Sequence, residues 1–261
     1  MRRVRHANLS LSAAAVAYNA FLALVPLALA ALGVAAAVGQ DAQTIARIEH
    51  ALEPIAPGAV TDFITGLLRE AASQVRSGQG WLIVGSAAAA LLLGSRAVVA
   101  LQKALAVVVD RTEARPALQI RLVGAALTVA GGMALILASA LLVVGRDLFG
   151  FLANLTGAGW LDEVWSWLRV PVSTIGLYLF LLAFYWWGPP VPLPRAWAAA
   201  LIATVGVVGG SLLFGLYLNA APDLGPTFGT LGAVAVAMVW LHVGALAILF
   251  GGVVAAATGE G

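Results

Sequence analysis

Arg96 is the residue whose position most suggests chemistry, because it interrupts a long apolar run. It follows Leu93-Gly94-Ser95, and apolar residues then continue as far as Leu101. An ionised arginine inside hydrocarbon is costly, so it usually faces protein, water or an anionic partner. No Asp or Glu lies in the apolar runs, so its counter-ion would be a lipid phosphate, a substrate or a backbone carbonyl. Alternatively, the long side chain snorkels to the headgroups near Gln102 and Lys103.

Five further polar side chains interrupt apolar runs and are candidates for the same substrate-binding site: Tyr18, Asn19, Tyr217, Asn219 and His242. A polar side chain in a membrane helix most often only hydrogen-bonds a neighbouring helix, and this alternative is open for each of them. A proton relay at His242 would need a titrating neighbour, and the sequence offers none nearby.

Catalytic motifs are missing from the sequence. It contains no G-x-x-x-x-G-K-[ST] phosphate loop, no H-E-x-x-H zinc motif and no G-x-S-x-G nucleophile elbow. Because it also contains no cysteine, it has no disulfide, thiolate metal site or cysteine nucleophile. We therefore expect no catalytic residue, no metal, no cofactor and no enzyme activity.

The overall composition indicates a membrane protein. Of the 261 residues, 62% are hydrophobic and 10% are charged, and the mean hydropathy is +0.98. No aqueous core could hide so much apolar surface. The net charge of +2 is too small to suggest a nucleic-acid partner, so membrane lipids are the expected partners. Monomer and homodimer both stay open.

The apolar residues form six stretches, and a membrane-spanning helix needs about 20 such residues. We therefore predict an all-α fold, a single transmembrane domain over residues 1–261, with spans at about 9–38, 81–109, 122–144, 170–187, 196–218 and 230–257. A secretory signal peptide is the alternative for the first stretch. Its apolar core, however, is about twice as long as a signal peptide's.

Two longer connections also have helical patterning. Apolar residues recur at spacings of three and four within 41–76, where Pro57-Gly58 divides them. The segment 147–168 is amphipathic and rich in tryptophan. We expect outer-face helices in both segments, which either lie on the bilayer surface or cap a cavity that opens outward.

Basic residues predict the orientation in the membrane. One set of connections carries most of them: Arg2, Arg3, Arg5, Lys103, Arg111, Arg115, Arg121 and Arg195. The opposite set carries fewer basic and more acidic residues. The positive-inside rule then places both termini in the cytoplasm.

Proline and glycine mark candidate hinges and helix contacts. Pro26 predicts a kink in the first span, and the stretch from Pro222 to Gly229 is expected to be an unwound outer turn. Two small-xxx-small pairs in the fifth span predict close helix packing: Gly206 with Gly210, and Ser211 with Gly215.

Two stretches resemble the YihY/BrkB family, once labelled ribonuclease BN. Residues 17–27 are similar to the A-Y-x-x-[LF]-x-S-[LF]-x-P-L signature near the start of that family. Its closing pattern is matched by Tyr217, residues 227–233, Trp240 and Gly251. Gly94-Ser95-Arg96 and Arg115-Pro116 stand where the family has its second span and its R-P turn. The resemblance covers about residues 5–257.

Three positions depart from the family pattern. Ala23 replaces the usual Ser, Phe228 the commoner Tyr, and Val253 the final Glu. The resemblance implies a six-helix bacterial inner-membrane protein with cytoplasmic termini. Members have carried ribonuclease and virulence-factor labels, and proposals for the family lean towards movement of lipid-like molecules.

Three functions follow as hypotheses. The first is a transporter or flippase-like protein that moves a lipid or another amphipathic anionic molecule, with Arg96 on its phosphate. The alternative is a non-transporting scaffold that recruits envelope proteins. A membrane-associated ribonuclease is disfavoured, because the acids of the predicted cytoplasmic parts are too scattered for a two-metal site: Asp110, Glu113 and Glu260.

Overall fold

The computed structural model of the chain describes residues 9–37, 46, 49, 57–76, 80–108, 116–156, 160–188, 193–220 and 224–257. These residues contain no β-strand, which confirms the all-α prediction. Their long helices, in chain order, are α1 (Leu9–Ala37), α2 (Gly58–Arg76), α3 (Gly80–Val108), α4 (Ala117–Thr156), α5 (Trp160–Trp187), α6 (Leu193–Ala220) and α7 (Leu224–Ala257).

Proline and glycine set two of the helix ends. The Pro57 carbonyl accepts a hydrogen bond from the Val60 N–H at 2.9 Å as α2 begins. The last residue of α5 is Trp187, and the following Gly188 N–H donates to the Phe184 carbonyl at 2.7 Å. Two prolines come next in the sequence, and because proline has no N–H the helix cannot continue through them.

Five helical segments are long and apolar enough to cross a membrane: Gly85–Val107, Ala117–Ala134, Trp167–Trp187, Arg195–Leu218 and Gly232–Ala257. A shorter apolar segment, Leu9–Leu24, lies in α1. The chain is therefore a multi-pass membrane protein, as predicted. The count of six spans remains a prediction.

The structure differs from the prediction at 147–168, where a separate outer helix was expected. Instead α4 continues to Thr156, and α5 begins at Trp160. The charged residues at 146–147 do not end α4, since a charge alone leaves the backbone hydrogen bonds intact. With 40 residues, α4 is about 60 Å long, more than one crossing needs.

Helix contacts follow the chain order and then return to its start. α3 packs on α4, α4 on α5, α5 on α6 and α6 on α7, while α7 packs on α1 and α3 and α1 packs on α3. These six helices share one apolar core in which small and branched side chains predominate. It includes Ala13, Leu101, Leu105, Leu127, Leu181, Tyr185, Ala199, Ala203, Ala245 and Leu249.

Tyr185 joins α5 to α7 inside this core. Its side chain is fully buried, and its hydroxyl donates a hydrogen bond to the Ile248 carbonyl. Three residues further along α7, a Cβ at Gly251 would lie 2.6 Å from the Ala199 carbonyl oxygen of α6 and 2.9 Å from the Tyr185 hydroxyl. Helices α5, α6 and α7 therefore meet where only glycine fits.

α2 is docked on the bundle, where it contacts α1 and α7. One side of α2 is buried at helical spacing through Val60, Thr61, Thr65 and Leu68. The Phe63 ring stacks on the Phe21 ring of α1, with centroids 5.9 Å apart. On the exposed side, Arg69 pairs with Glu49 at 3.7 Å. Helix–helix contacts therefore hold α2 in place, so it does not lie on the bilayer surface alone.

Candidate functional site

Arg96 lies at the midpoint of the apolar segment Gly85–Val107 of α3, and its side chain is exposed. The charge is therefore about 16 Å along the helix from either end of that segment. No hydrogen bond or ion pair joins its guanidinium to another described residue. The described residues therefore supply no counter-ion for an arginine in the middle of an apolar helix.

Other exposed residues of α3 share a face with Arg96. Leu92 lies one turn before it, and Lys103 and Val107 follow two and three turns later, all of them exposed. Lys103 is about 10 Å further along the helix axis than Arg96. This face, which we call the cationic face of α3, combines two positive charges with apolar surface.

The adjacent face of α3 packs closely on α4 through small residues. A Cβ at Gly94 would lie 2.7 Å from the Thr128 Cγ2, and a Cβ at Gly124 would lie 2.7 Å from the Val99 Cγ2 and 3.3 Å from the Ser95 carbonyl oxygen. We call this contact the α3–α4 seam. Because the two residues before Arg96 belong to the seam, the backbone that carries the arginine packs directly against α4.

Gln102 has an unusual environment that the sequence did not reveal. Its side chain is 0% exposed, and neither amide atom has a hydrogen-bond partner in the described structure. It follows Ser95 by seven residues and Val99 by three, so it continues the face of α3 that forms the seam. The one sequence feature that could have indicated it is a polar amide near the end of an apolar run. Its burial depends on how the neighbouring helices pack around α3, which the sequence does not show.

Two of the candidates lie in α1, which packs on the helix that carries Arg96. Tyr18 is 54% exposed. Asn19 donates its side-chain N–H to the Ala15 carbonyl at 2.8 Å, one turn earlier in the same helix. Asn19 therefore satisfies one of its donors locally, without a neighbouring helix.

The other candidates lie in α6 and α7. Tyr217 is exposed and stacks on Phe214, with ring centroids 6.3 Å apart. His242 is half-buried in α7, and Asn219 lies in the last turn of α6, where its side chain is outside the described structure. Within the described residues, no hydrogen bond or ring contact joins these candidates to Arg96. A shared site for the six residues therefore stays a prediction.

The predicted hinges have different outcomes. Pro26 lies inside α1, which continues to Ala37. Pro222 lies outside the described residues. Gly229 is not in an unwound turn, because α7 begins at Leu224 and is already helical there. Pro226 falls in the first turn of α7, where its missing N–H would have had no partner, so it permits this early start.

The first small-residue pair lies between α6 and α7. A Cβ at Gly206 would lie 2.8 Å from the Ala247 Cβ, and a Cβ at Gly210 would lie 2.7 Å from the Val243 Cγ1. The two helices therefore approach closely along this side of α6.

The second small-residue pair makes different contacts. The Ser211 Oγ accepts a hydrogen bond from the Trp240 Nε1 of α7 at 2.9 Å. A Cβ at Gly215 would lie 3.9 Å from the Pro57 Cβ at the start of α2. This end of α6 therefore faces both α7 and the docked α2.

A shallow groove of about 600 Å³ lies on α5, lined by Trp160, Val164, Trp167, Leu168 and Pro171. These side chains are apolar, and Trp167 is 76% exposed. The groove offers contact for hydrocarbon but no charged side chain for an anion. The described residues also contain no candidate metal site, since no three His, Asp or Glu side chains cluster among them.

Comparison with known proteins identifies the family. The family described as Virulence factor BrkB matches residues 1–260. The chain belongs to the BrkB family. The family resemblance seen in residues 17–27 and 227–233 is thereby confirmed, and Arg96 lies within the part that matches BrkB.

One curated relative of this BrkB chain is "Putative ribonuclease-like protein YfkH" of Bacillus subtilis (strain 168). It is 26% identical over 204 residues, which are 77% of this chain and 73% of the relative. No solved structure matches the chain.

Proposed function

We propose that this BrkB protein moves a lipid or another amphipathic anionic molecule across the membrane, with Arg96 as its anion-binding group. The observation that carries the proposal is the exposed Arg96 side chain at the midpoint of Gly85–Val107, with no partner among the described residues. A buried structural arginine would instead be paired inside the protein.

The chemistry of the cationic face of α3 favours a phosphate attached to hydrocarbon. A guanidinium donates two parallel hydrogen bonds to a phosphate, and the pair is strong where water is scarce. Leu92 and Val107 on the same face are 63% and 67% exposed, so they offer contact for acyl chains. A small anion without such chains would gain nothing from these residues.

The spacing of the two cations suggests a path for the headgroup. Lys103 is near the end of the apolar segment, whereas Arg96 is about 10 Å deeper, a third of the roughly 30 Å hydrocarbon layer. A headgroup that passes from Lys103 to Arg96 would remain next to a positive charge. This lowers the electrostatic cost of entering the bilayer.

We infer a bacterial inner-membrane location with both termini in the cytoplasm. Lys103 and Arg121 are exposed near the ends of α3 and α4, and the connection between them adds Arg111 and Arg115. Because the chain contains no cysteine, a single cysteine added at either terminus reports its side of the membrane. Labelling of intact cells by a membrane-impermeant thiol reagent should fail, and labelling from outside would contradict this orientation.

The direct test of transport is phospholipid translocation in proteoliposomes, read by dithionite quenching of a fluorescent lipid. We expect a larger quenched fraction than in protein-free vesicles. Absence of translocation for anionic and zwitterionic lipids alike would contradict the proposal. Stoichiometric co-purification of an envelope protein would then favour the scaffold hypothesis.

A ribonuclease is the second candidate, and only the printed name of the Bacillus relative favours it. We propose instead that the chain is not an enzyme. Purified protein should leave RNA intact with and without Mg²⁺. Metal-dependent cleavage that is lost in Asp110→Asn would support the ribonuclease.

A further inference from the structure

The buried Gln102 amide is the least satisfied polar group described in the bundle. Its donor and acceptor atoms are both enclosed, and neither has a partner in the described structure. A primary amide can make several hydrogen bonds, and leaving them unmade in an apolar interior destabilises that packing. The packing seen here therefore carries a penalty that an arrangement exposing the amide would relieve.

We infer that α3 and α4 alternate between two packings, and that Gln102 favours a second one in which its amide meets water or a polar headgroup. This inference goes beyond the proposed function, since it holds whatever molecule the protein moves. Gln102 acts as a positioning residue in it. The packing described here is the closed form of the α3–α4 seam.

The seam is built so that such a movement is feasible. The closest approaches at Gly94 and Gly124 are to the side-chain methyl groups of Thr128 and Val99, and the one backbone atom near Gly124, the Ser95 carbonyl oxygen, is further away at 3.3 Å. The Ser95 and Thr128 hydroxyls donate to carbonyls of their own helices, at 2.9 and 2.8 Å, so they do not lock α3 to α4. Helices that touch through small residues and methyl groups can slide while keeping their contact area.

Ile120 provides a reporter for opening. It is buried, and it precedes Gly124 by one turn on the face of α4 that forms the seam. Gln102 occupies the corresponding end of the seam on α3, close to the connection with α4. Opening should therefore expose position 120 together with Gln102.

The test uses the absence of cysteine from the chain. Ile120→Cys is made in the full chain and in the Gln102→Leu variant, and both are placed in proteoliposomes. A membrane-impermeant methanethiosulfonate is supplied on both sides. Leucine removes the penalty on the closed form, so we expect about tenfold slower modification in the Gln102→Leu background. Gln102→Asn keeps an amide and should retain most of the original rate.

Leu249→Cys is the matched control, because Leu249 is fully buried and belongs to α7 rather than to α3 or α4. It should react slowly and equally in both backgrounds. Equal rates for Ile120→Cys with Gln102 and with Leu at position 102 would overturn the inference. So would a rate no faster than that of Leu249→Cys.

A second measurement covers the case in which Ile120→Cys does not fold. Hydrogen exchange is compared between the unaltered chain and Gln102→Leu alone. We expect slower exchange at the seam in the leucine variant and unchanged exchange in α6. Identical exchange in α3 and α4 of the two proteins would contradict two packings.

Discussion

Gly251 of α7 lies so close to Ala199 of α6 that a Cβ at position 251 would stand 2.6 Å from the Ala199 carbonyl oxygen. Backbone cannot move aside as a flexible side chain can. Gly251→Ala should therefore separate the two helices and destabilise the fold by about 1–3 kcal/mol. Thermal unfolding of the purified protein should show a midpoint lower by several degrees.

Gly244→Ala is the control for this prediction. Gly244 is in the same helix, and a Cβ there would meet nothing within 4 Å. Since alanine also favours the helix over glycine, the midpoint should stay the same or rise. Equal losses in the two variants would mean that the α6–α7 contact is not the cause.

The hydrogen bond from Tyr185 to the Ile248 carbonyl should stabilise the contact between α5 and α7. Tyr185→Phe keeps the buried ring and removes only the hydroxyl, so we expect a loss of about 1 kcal/mol in unfolding free energy. Tyr178 is half-buried in the same helix, and Tyr178→Phe should lower the unfolding free energy by less. A larger effect at position 178 would contradict this role for Tyr185.

The stack between Phe21 and Phe63 should help to hold α2 on the bundle. A double-mutant cycle with Phe21→Leu and Phe63→Leu should give a coupling free energy of about 0.5–1.5 kcal/mol. Phe63→Leu alone should speed hydrogen exchange in α2. Asp62→Ala changes an exposed neighbour of Phe63 and should leave hydrogen exchange in α2 unaltered. If the effects of the two leucine substitutions on the unfolding free energy are additive, the ring contact does not stabilise the fold.

The helical membrane fold could be predicted because it follows from local properties of the sequence. A run of about 20 apolar residues has few alternatives to a spanning helix, since its backbone groups must all be hydrogen-bonded in lipid. Helix limits were less predictable. Polar residues at 146–147 suggested a break that α4 does not have, and Pro226 suggested a turn where α7 already begins.

The candidate site could be predicted only where a charged or polar residue interrupts an apolar run. Arg96 could be found as a charge in an apolar run, but its exposure depends on which sides of α3 are covered by α1, α4 and α7. Gln102 lies two turns of α3 after Ser95, and the helices packed around α3 bury it completely. Such placement depends on pairing between helices, which a single sequence does not specify.

The measurement that tests the central claim most directly is lipid translocation by Arg96→Gln in proteoliposomes, beside the unaltered protein and Arg121→Gln. Arg121 is also exposed but lies near the start of α4, outside the apolar middle of the helix. We expect lipid translocation by Arg96→Gln to fall to the level of protein-free vesicles, while its unfolding midpoint stays unchanged. Arg121→Gln should keep most of the translocation activity. Translocation by Arg96→Gln at the rate of the unaltered protein would contradict the account.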